Sequence, residues 1–148
     1  MEPKLKLYEI KPDLTAGEIF CLKEVVLDSY LEALKFHYPA QEEQTRGSVL
    51  RMVRTASRRA LEKGTPFYPM YATEEAARAL YGILDAAERD LAETLEERCK
   101  EADAEEHPFL YLPESEEHET LCSLQEKVWE SLLEEGVPMY PQAKSEQE

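Results

Sequence analysis

The sequence predicts an all-α protein, a four-helix and mainly antiparallel bundle-like domain, and three observations support this fold class. Apolar residues recur every three or four positions in four separate segments, as one buried face of a helix requires. Capping and breaking residues bound these segments, with Thr15 and Thr73 before a helical pattern and Gly64 and Gly136 after one. The longest segment, 73–106, is long enough for about nine turns and needs other helices to cover its apolar side.

Chain length predicts one domain over residues 1–141, and the polar composition of residues 142–148 predicts a disordered tail. A chain of 148 residues can bury a core of its own without a disulfide. Its three cysteines, Cys21, Cys99 and Cys122, lack CxxC spacing and are expected to be reduced thiols. No apolar run has the length of a signal peptide or a membrane span, so the sequence predicts a cytoplasmic protein without membrane contact.

The first element is a short strand over residues 4–10, where apolar and polar side chains alternate. A single strand needs a partner to pair with. The candidate is Phe109–Leu112, an equally short apolar segment between Pro108 and Pro113. The sequence therefore leaves room for a minor two-stranded β element beside the helices.

The first helix begins at Thr15, where Thr-Ala-Gly-Glu forms a capping box with Glu18, and it ends near Tyr38 before Pro39. Its apolar arc is wide, which predicts a helix buried on two sides at the centre of the core. His37 falls on the same arc, and we expect it to interact with the last carbonyls of the helix. The arc contains Ile19, Phe20, Leu22, Val26, Leu27, Tyr30, Leu31, Ala33 and Leu34.

The second helix, about 42–63 with Gly64 as its stop, carries a basic stripe. Arg51, Arg54 and Arg58 project from the side opposite its apolar residues. These arginines can neutralise acidic neighbours within the bundle or in a homodimer. They can also form a basic face for RNA or another phosphate ligand, because the planar guanidinium matches phosphate and carboxylate groups.

Proline and aromatic residues cluster in the connections between the helices, first at 65–71 and again at 137–141. Because proline stiffens a loop and an aromatic ring buries a large area, we expect these clusters to close the ends of the bundle. The alternative is an aromatic lip that binds a peptide or a small ligand. The residues that would form this lip are Tyr68, Met70, Tyr71 and Tyr140.

The third helix, from Thr73 to about Glu106, combines a leucine stripe with an acidic side. Four carboxylates follow i, i+3, i+7 and i+11 spacing and therefore fall on one side of the helix. Three more acidic residues extend this face toward the end of the helix. The predicted acidic face consists of Asp90, Glu93, Glu97, Glu101, Asp103, Glu105 and Glu106.

The fourth helix, about 116–135, begins after Ser115 as its N-cap and ends at Gly136. His118 lies among acidic residues near its start, where Glu114 and His118 are expected to interact with the helix dipole. The paired ExxE and ExxD sets of all-α nucleotide pyrophosphohydrolases and the Glu-x-x-His of di-iron bundles are both incomplete in this sequence. The sequence therefore predicts no catalytic residue, no metal site and no cofactor.

Charge differs sharply between the two halves of the chain. Residues 1–72 carry 11 basic and 10 acidic residues, whereas residues 73–148 carry 6 and 22. A net charge of −15 disfavours direct DNA binding and favours a basic protein partner. We therefore expect a small non-enzymatic binding protein, in its specific form an inhibitor that mimics nucleic-acid charge and blocks a basic nucleic-acid-binding enzyme. The alternatives are a metal-dependent all-α nucleotide hydrolase and an RNA or phosphate binder that uses the arginines of the second helix.

Overall fold

The computed structural model describes residues 6–104 and 113–138, with side chains for 6–101 and 115–138. Over these ranges the protein is mostly helical, which confirms the predicted all-α, bundle-like fold. None of the described helices is both long enough and apolar enough to span a membrane. In chain order the elements are β1 (Tyr8–Ile10), α1 (Ala16–Lys35), α2 (Ala40–Lys63), β2 (Met70–Ala72), α3 (Glu74–Ala104) and α4 (Pro113–Glu134).

Local capping signals set most of the helix ends. The capping box at the start of α1 is complete, since Thr15 Oγ1 accepts from the Glu18 amide at 3.2 Å and Glu18 Oε1 accepts from the Thr15 amide at 2.9 Å. Thr73 caps α3 through a single bond of this kind, since its Oγ1 accepts from the Ala76 amide at 3.2 Å. The predicted start of α4 was wrong, because this helix begins at Pro113 and Ser115 lies in its first turn. Proline suits the first turn of a helix, where its missing N–H would have no partner.

The small sheet pairs β1 with β2 in antiparallel register, with Tyr8 opposite Ala72 and Ile10 opposite Met70. Its second strand comes from the connection before α3, which the sequence analysis treated as a loop. The expected partner, 109–112, lies outside the described residues. The alternation that defines β2 is only three residues long, with Met70 1 % exposed, Tyr71 60 % and Ala72 2 %.

Long-range contacts show how the helices are arranged. α3 and α4 run antiparallel, because Glu88 contacts His118 whereas the earlier Tyr81 contacts the later Gln125. α1 and α2 also run antiparallel, and Arg46 Nη1 donates to Ser29 Oγ across them at 2.9 Å. The largest fully buried side chains come from all four helices and both strands, and they include Ile10, Leu22, Val53, Met70, Leu80, Leu84, Leu124 and Leu132.

The prediction that α1 is buried on two sides was wrong. Leu22 and Val26 are fully buried, but Phe20 is 65 % exposed, and Leu31 and Leu34 are also exposed. The other helices cover one side of α1 and leave the rest of its wide apolar arc in solvent. His37 is exposed as well, because α1 ends at Lys35 and His37 takes a left-handed backbone conformation with φ 56° in the turn that follows.

Candidate functional site

The acidic face lies along the second half of α3, where fewer side chains are buried than in the first half. α3 has 31 residues, against 22 in α4, which packs beside it. In its first half Ala77, Leu80 and Leu84 are fully buried. From residue 96 to 101 every side chain is exposed. Residues 96–101 are therefore open to a partner, whereas Leu91, earlier in the second half of α3, still packs against the core.

Four carboxylates occupy one side of the second half of α3. Asp90, Glu93, Glu97 and Glu101 are all exposed, and helical spacing places them within an arc of about 80°. Earlier on the same side, Ile83 and its neighbours face the start of α2 across a shallow cavity. α2 thus faces this side of α3 in the first half of α3. The four carboxylates lie on the same side in the second half.

These four carboxylates have no ion-pair partner in the part of the chain whose side chains are described. Arg89 pairs with Asp85 at 3.2 Å and Lys100 with Glu96 at 3.6 Å, and both pairs use carboxylates outside the set. Among residues 6–101 and 115–138, no basic side chain lies within ion-pair distance of Asp90, Glu93, Glu97 or Glu101. The three predicted additions to the face, Asp103, Glu105 and Glu106, lie outside the described side chains.

The predicted basic face of α2 is also exposed. Arg51, Arg54 and Arg58 all point into solvent, and Arg54 and Arg58 line a groove with Glu24 and Glu62. Within the described ranges none of the three arginines forms an ion pair, so the expected neutralisation by acidic neighbours is not observed there. The basic face therefore stays available as a second charged surface.

The three described residues of the alternative aromatic lip differ in their exposure. Met70 is buried in the core, Tyr68 packs partly buried against it, and Tyr71 is exposed. The physical reason is strand alternation, which sends neighbouring side chains of β2 to opposite sides. The fourth lip residue, Tyr140, lies outside the described residues.

A cluster that the sequence analysis did not identify lies between α3 and α4. The antiparallel register brings Glu88 of α3 against His118 of α4, with 2.7 Å between Glu88 Oε2 and His118 Nε2. Cys122 follows His118 by one helical turn on the same face, and its Sγ lies 3.6 Å from Nε2 and 3.9 Å from Nδ1. One potential ligand atom from each residue lies within 4.8 Å of the others, and all three side chains are half-buried.

The electrostatics of the cluster do not fit an activated cysteine nucleophile. Burial raises the pKa of Cys122, and the nearby negative charge of Glu88 raises it further, so the thiol is protonated at neutral pH. A nucleophile, base and orienting group would use two different nitrogens of the histidine. Here Glu88 and Cys122 both approach His118 Nε2 most closely.

Cys21, on α1, is also a protonated thiol at neutral pH. Burial raises its pKa to about 11, and the negative charges of Glu117 and Glu18 add to this effect.

Two of the three residues of this cluster could have been paired from the sequence alone. The His-x-x-x-Cys spacing of His118 and Cys122 places two ligand types one turn apart, and it was visible in the sequence. We paired His118 with Glu114 instead, whose side chain lies outside those described. Glu88 is 30 residues away from His118 and could be added only once the register of α3 against α4 was known.

A groove of about 760 Å³ lies between α1, α4 and the middle of α3. Its lining combines apolar residues, among them Phe20, Val25 and Leu91, with acidic residues such as Glu24 and Glu117. All three cysteines are free thiols, and Cys21 lines this groove. The groove adds further negative charge to the surface but holds no additional set of converging ligand atoms among the described residues.

Comparison with known proteins assigns no family, because no family model, no curated protein and no solved structure matches the chain.

Proposed function

We propose that this protein is a small, non-enzymatic binding protein that engages a basic protein partner through the acidic face of α3. In the specific form of this proposal it is an inhibitor that occupies the nucleic-acid-binding groove of a basic enzyme. The observation that carries the proposal is the row formed by Asp90, Glu93, Glu97 and Glu101, exposed on an extended helix and without a cation partner in the described structure.

The spacing of these carboxylates supports charge mimicry. Four carboxylates over twelve residues of helix span about 16 Å, a length over which one DNA strand carries about five phosphates. The linear charge density of the row is therefore close to that of a single strand. The net charge of −15 adds long-range attraction for a basic groove and accelerates encounter with it.

The test is a pull-down from the native host's lysate that compares the wild type with a neutralised variant. The variant carries Asp90→Asn, Glu93→Gln, Glu97→Gln and Glu101→Gln, which keep side-chain size and remove charge. We expect the wild type to retain a basic, nucleic-acid-binding protein at low salt. It should release this partner at ~0.5 M salt, because charge contacts are screened, and also when duplex DNA is added as a competitor. The neutralised variant should retain at least tenfold less of the partner than the wild type does.

The matched control is a variant with the same change in net charge on α4. Glu119, Glu126, Glu130 and Glu134 are exposed and share one side of that helix, so their replacement by Gln changes total charge equally. This control should bind like the wild type. Equal loss in both variants would show that only total charge matters, and unchanged retention by the α3 variant would place the binding surface elsewhere. Either result would overturn the proposal.

A second candidate function rests on the basic face of α2. Arg51, Arg54 and Arg58 are exposed and make no ion pair within the described ranges, which suits binding of RNA or another phosphate ligand. Replacing all three with Glu should abolish retention of RNA on the immobilised protein and lower the dependence of binding on salt. Undiminished RNA binding by this variant would eliminate the candidate.

A further inference from the structure

We propose that Glu88, His118 and Cys122 form a binding site for a thiophilic transition-metal ion, with Zn²⁺ as the natural occupant, between α3 and α4. A carboxylate, an imidazole and a thiolate are the three ligand types that Zn²⁺ takes in proteins. The metal site is independent of the proposed function, because it depends on metal coordination by these three residues and not on charge contacts of the acidic face.

One ligand separation already fits a tetrahedral metal, a second needs a small movement, and the third, between Glu88 and Cys122, lies within 4.8 Å. With metal–sulfur and metal–nitrogen bonds of about 2.3 and 2.0 Å, a tetrahedral site separates sulfur from nitrogen by ~3.5 Å. Cys122 Sγ already lies 3.6 Å from His118 Nε2. The hydrogen-bonded contact between Glu88 Oε2 and His118 Nε2, 2.7 Å, would need to open by about 0.6 Å to reach the ~3.3 Å between two ligands bonded at 2.0 Å.

The surrounding structure holds the three groups in place. His118 and Cys122 project from one face of α4 a single turn apart, and α3 supplies Glu88 from the facing helix. Nearby, Gln125 donates to both Tyr81 and Asp85 and fixes the register of the two helices. All three ligands are half-buried, so each is partly removed from competing water yet accessible to an entering ion.

The donor set also predicts selectivity. Mg²⁺ and Ca²⁺ prefer oxygen ligands, whereas a thiolate and an imidazole favour Zn²⁺, Co²⁺, Ni²⁺ or Cu²⁺. On binding, the ion forms a bond to Cys122 Sγ and the thiol proton leaves to solvent. Three protein ligands leave one position of a tetrahedral ion for water or another ligand.

Co²⁺ titration of the reduced full-length protein tests the site, because cobalt bound to a thiolate gives a charge-transfer absorption in the near ultraviolet. We expect one Co²⁺ per chain, displacement by Zn²⁺ and no displacement by excess Mg²⁺. Zn²⁺ should also raise the melting temperature of the wild type, whereas Mg²⁺ should not. Absence of the band, or binding of several ions per chain at random, would overturn the proposal.

Variants assign the ligands. Cys122→Ser should remove the thiolate band, whereas Cys99→Ser, which changes an exposed cysteine elsewhere on α3, should keep it. Glu88→Gln should weaken Co²⁺ binding at least tenfold, and Glu93→Gln should leave it unchanged. Circular dichroism checks that each variant is folded, and Glu88→Gln decides the question if Cys122→Ser does not fold. A band that persists in Cys122→Ser, or unchanged affinity in Glu88→Gln, would contradict this ligand set.

Discussion

Glu18 is the residue that joins local capping to long-range packing in this protein. It is 4 % exposed, completes the capping box of α1 and accepts from Ser123 Oγ at 2.6 Å and from Lys127 Nζ at 2.7 Å. One carboxylate therefore satisfies the start of α1 and links that helix to α4. A buried carboxylate is tolerated only when it is paired and hydrogen-bonded in this way.

Replacing Glu18 should destabilise the fold strongly. Glu18→Ala removes half of the capping box and leaves Ser123 and Lys127 without their acceptor, so we expect the free energy of unfolding to fall by about 3 kcal/mol. Urea denaturation measures this change. The control is Glu24→Ala, an exposed carboxylate on the same helix, which should change stability by less than about 0.5 kcal/mol. Equal effects from both variants would show that the link to α4 adds nothing to stability.

Glu18 should also make stability depend on pH in the acid range. Burial alone would raise its pKa, but hydrogen bonds from Lys127, Ser123 and the Thr15 amide outweigh burial and hold the pKa below its ordinary value of 4.5. A lowered folded pKa means that the stabilisation is fully present above pH 4.5 and is lost as the pH falls through the folded pKa.

Urea denaturation of the wild type and of Glu18→Gln across this pH range measures that contribution. The difference in free energy between the two proteins should be constant near neutral pH and should shrink below pH 4.5. A difference that grows on acidification would contradict the direction of the pKa shift.

At the scale of the elements, α1 shows where helical periodicity stops being informative. The sequence placed both Phe20 and Leu22 in its buried arc, and the structure buries only Leu22. Periodicity reports that a wide apolar arc exists, but how much of the arc is covered depends on the number and position of neighbouring helices. The starts of α1 and α3 were predicted well because a cap acts within three residues of the chain.

A pair of substitutions separates these two descriptions of α1. Leu22→Ala should lower the free energy of unfolding by about 3 kcal/mol, since it opens a cavity in the core. Phe20→Ala should lower it by less than about 1 kcal/mol, because its side chain is 65 % exposed. Thermal and urea denaturation of both variants give the comparison. A loss at Phe20 as large as that at Leu22 would restore the sequence-based description of a helix buried on two sides.

At the scale of the whole molecule, the sequence predicted the helical class and the charge of each half but not the contacts between distant segments. β1 pairs with residues 70–72 because of how the chain returns from α2, and no local pattern in the chain encodes that choice. The cluster of Glu88, His118 and Cys122 depends in the same way on the register of two helices. The acidic face was visible early because its four carboxylates lie on a single helix, where spacing alone determines the side.

The net charge of the molecule predicts that the acidic face lowers the stability of the fold while it promotes binding of the proposed partner. The net charge of −15 repels the four carboxylates of α3, which have no ion-pair partner among the described side chains. They also lie in the second half of α3, nearer the negative end of its dipole. Neutralising Asp90, Glu93, Glu97 and Glu101 should therefore raise the free energy of unfolding by about 1 kcal/mol at low salt, while it weakens the proposed partner's binding.

This gain should shrink as salt rises toward ~1 M, where the screening length falls to about 3 Å. Urea denaturation at low and high salt measures the effect, with the α4 variant at Glu119, Glu126, Glu130 and Glu134 as the control for total charge. A neutralised α3 that is less stable at low salt would mean that the carboxylates support the fold itself. An acidic face that serves only the fold should stabilise the protein, so its neutralisation should lower the free energy of unfolding. If the α3 variant is instead more stable than the wild type and binds the partner more weakly, the carboxylates serve binding at a cost in stability.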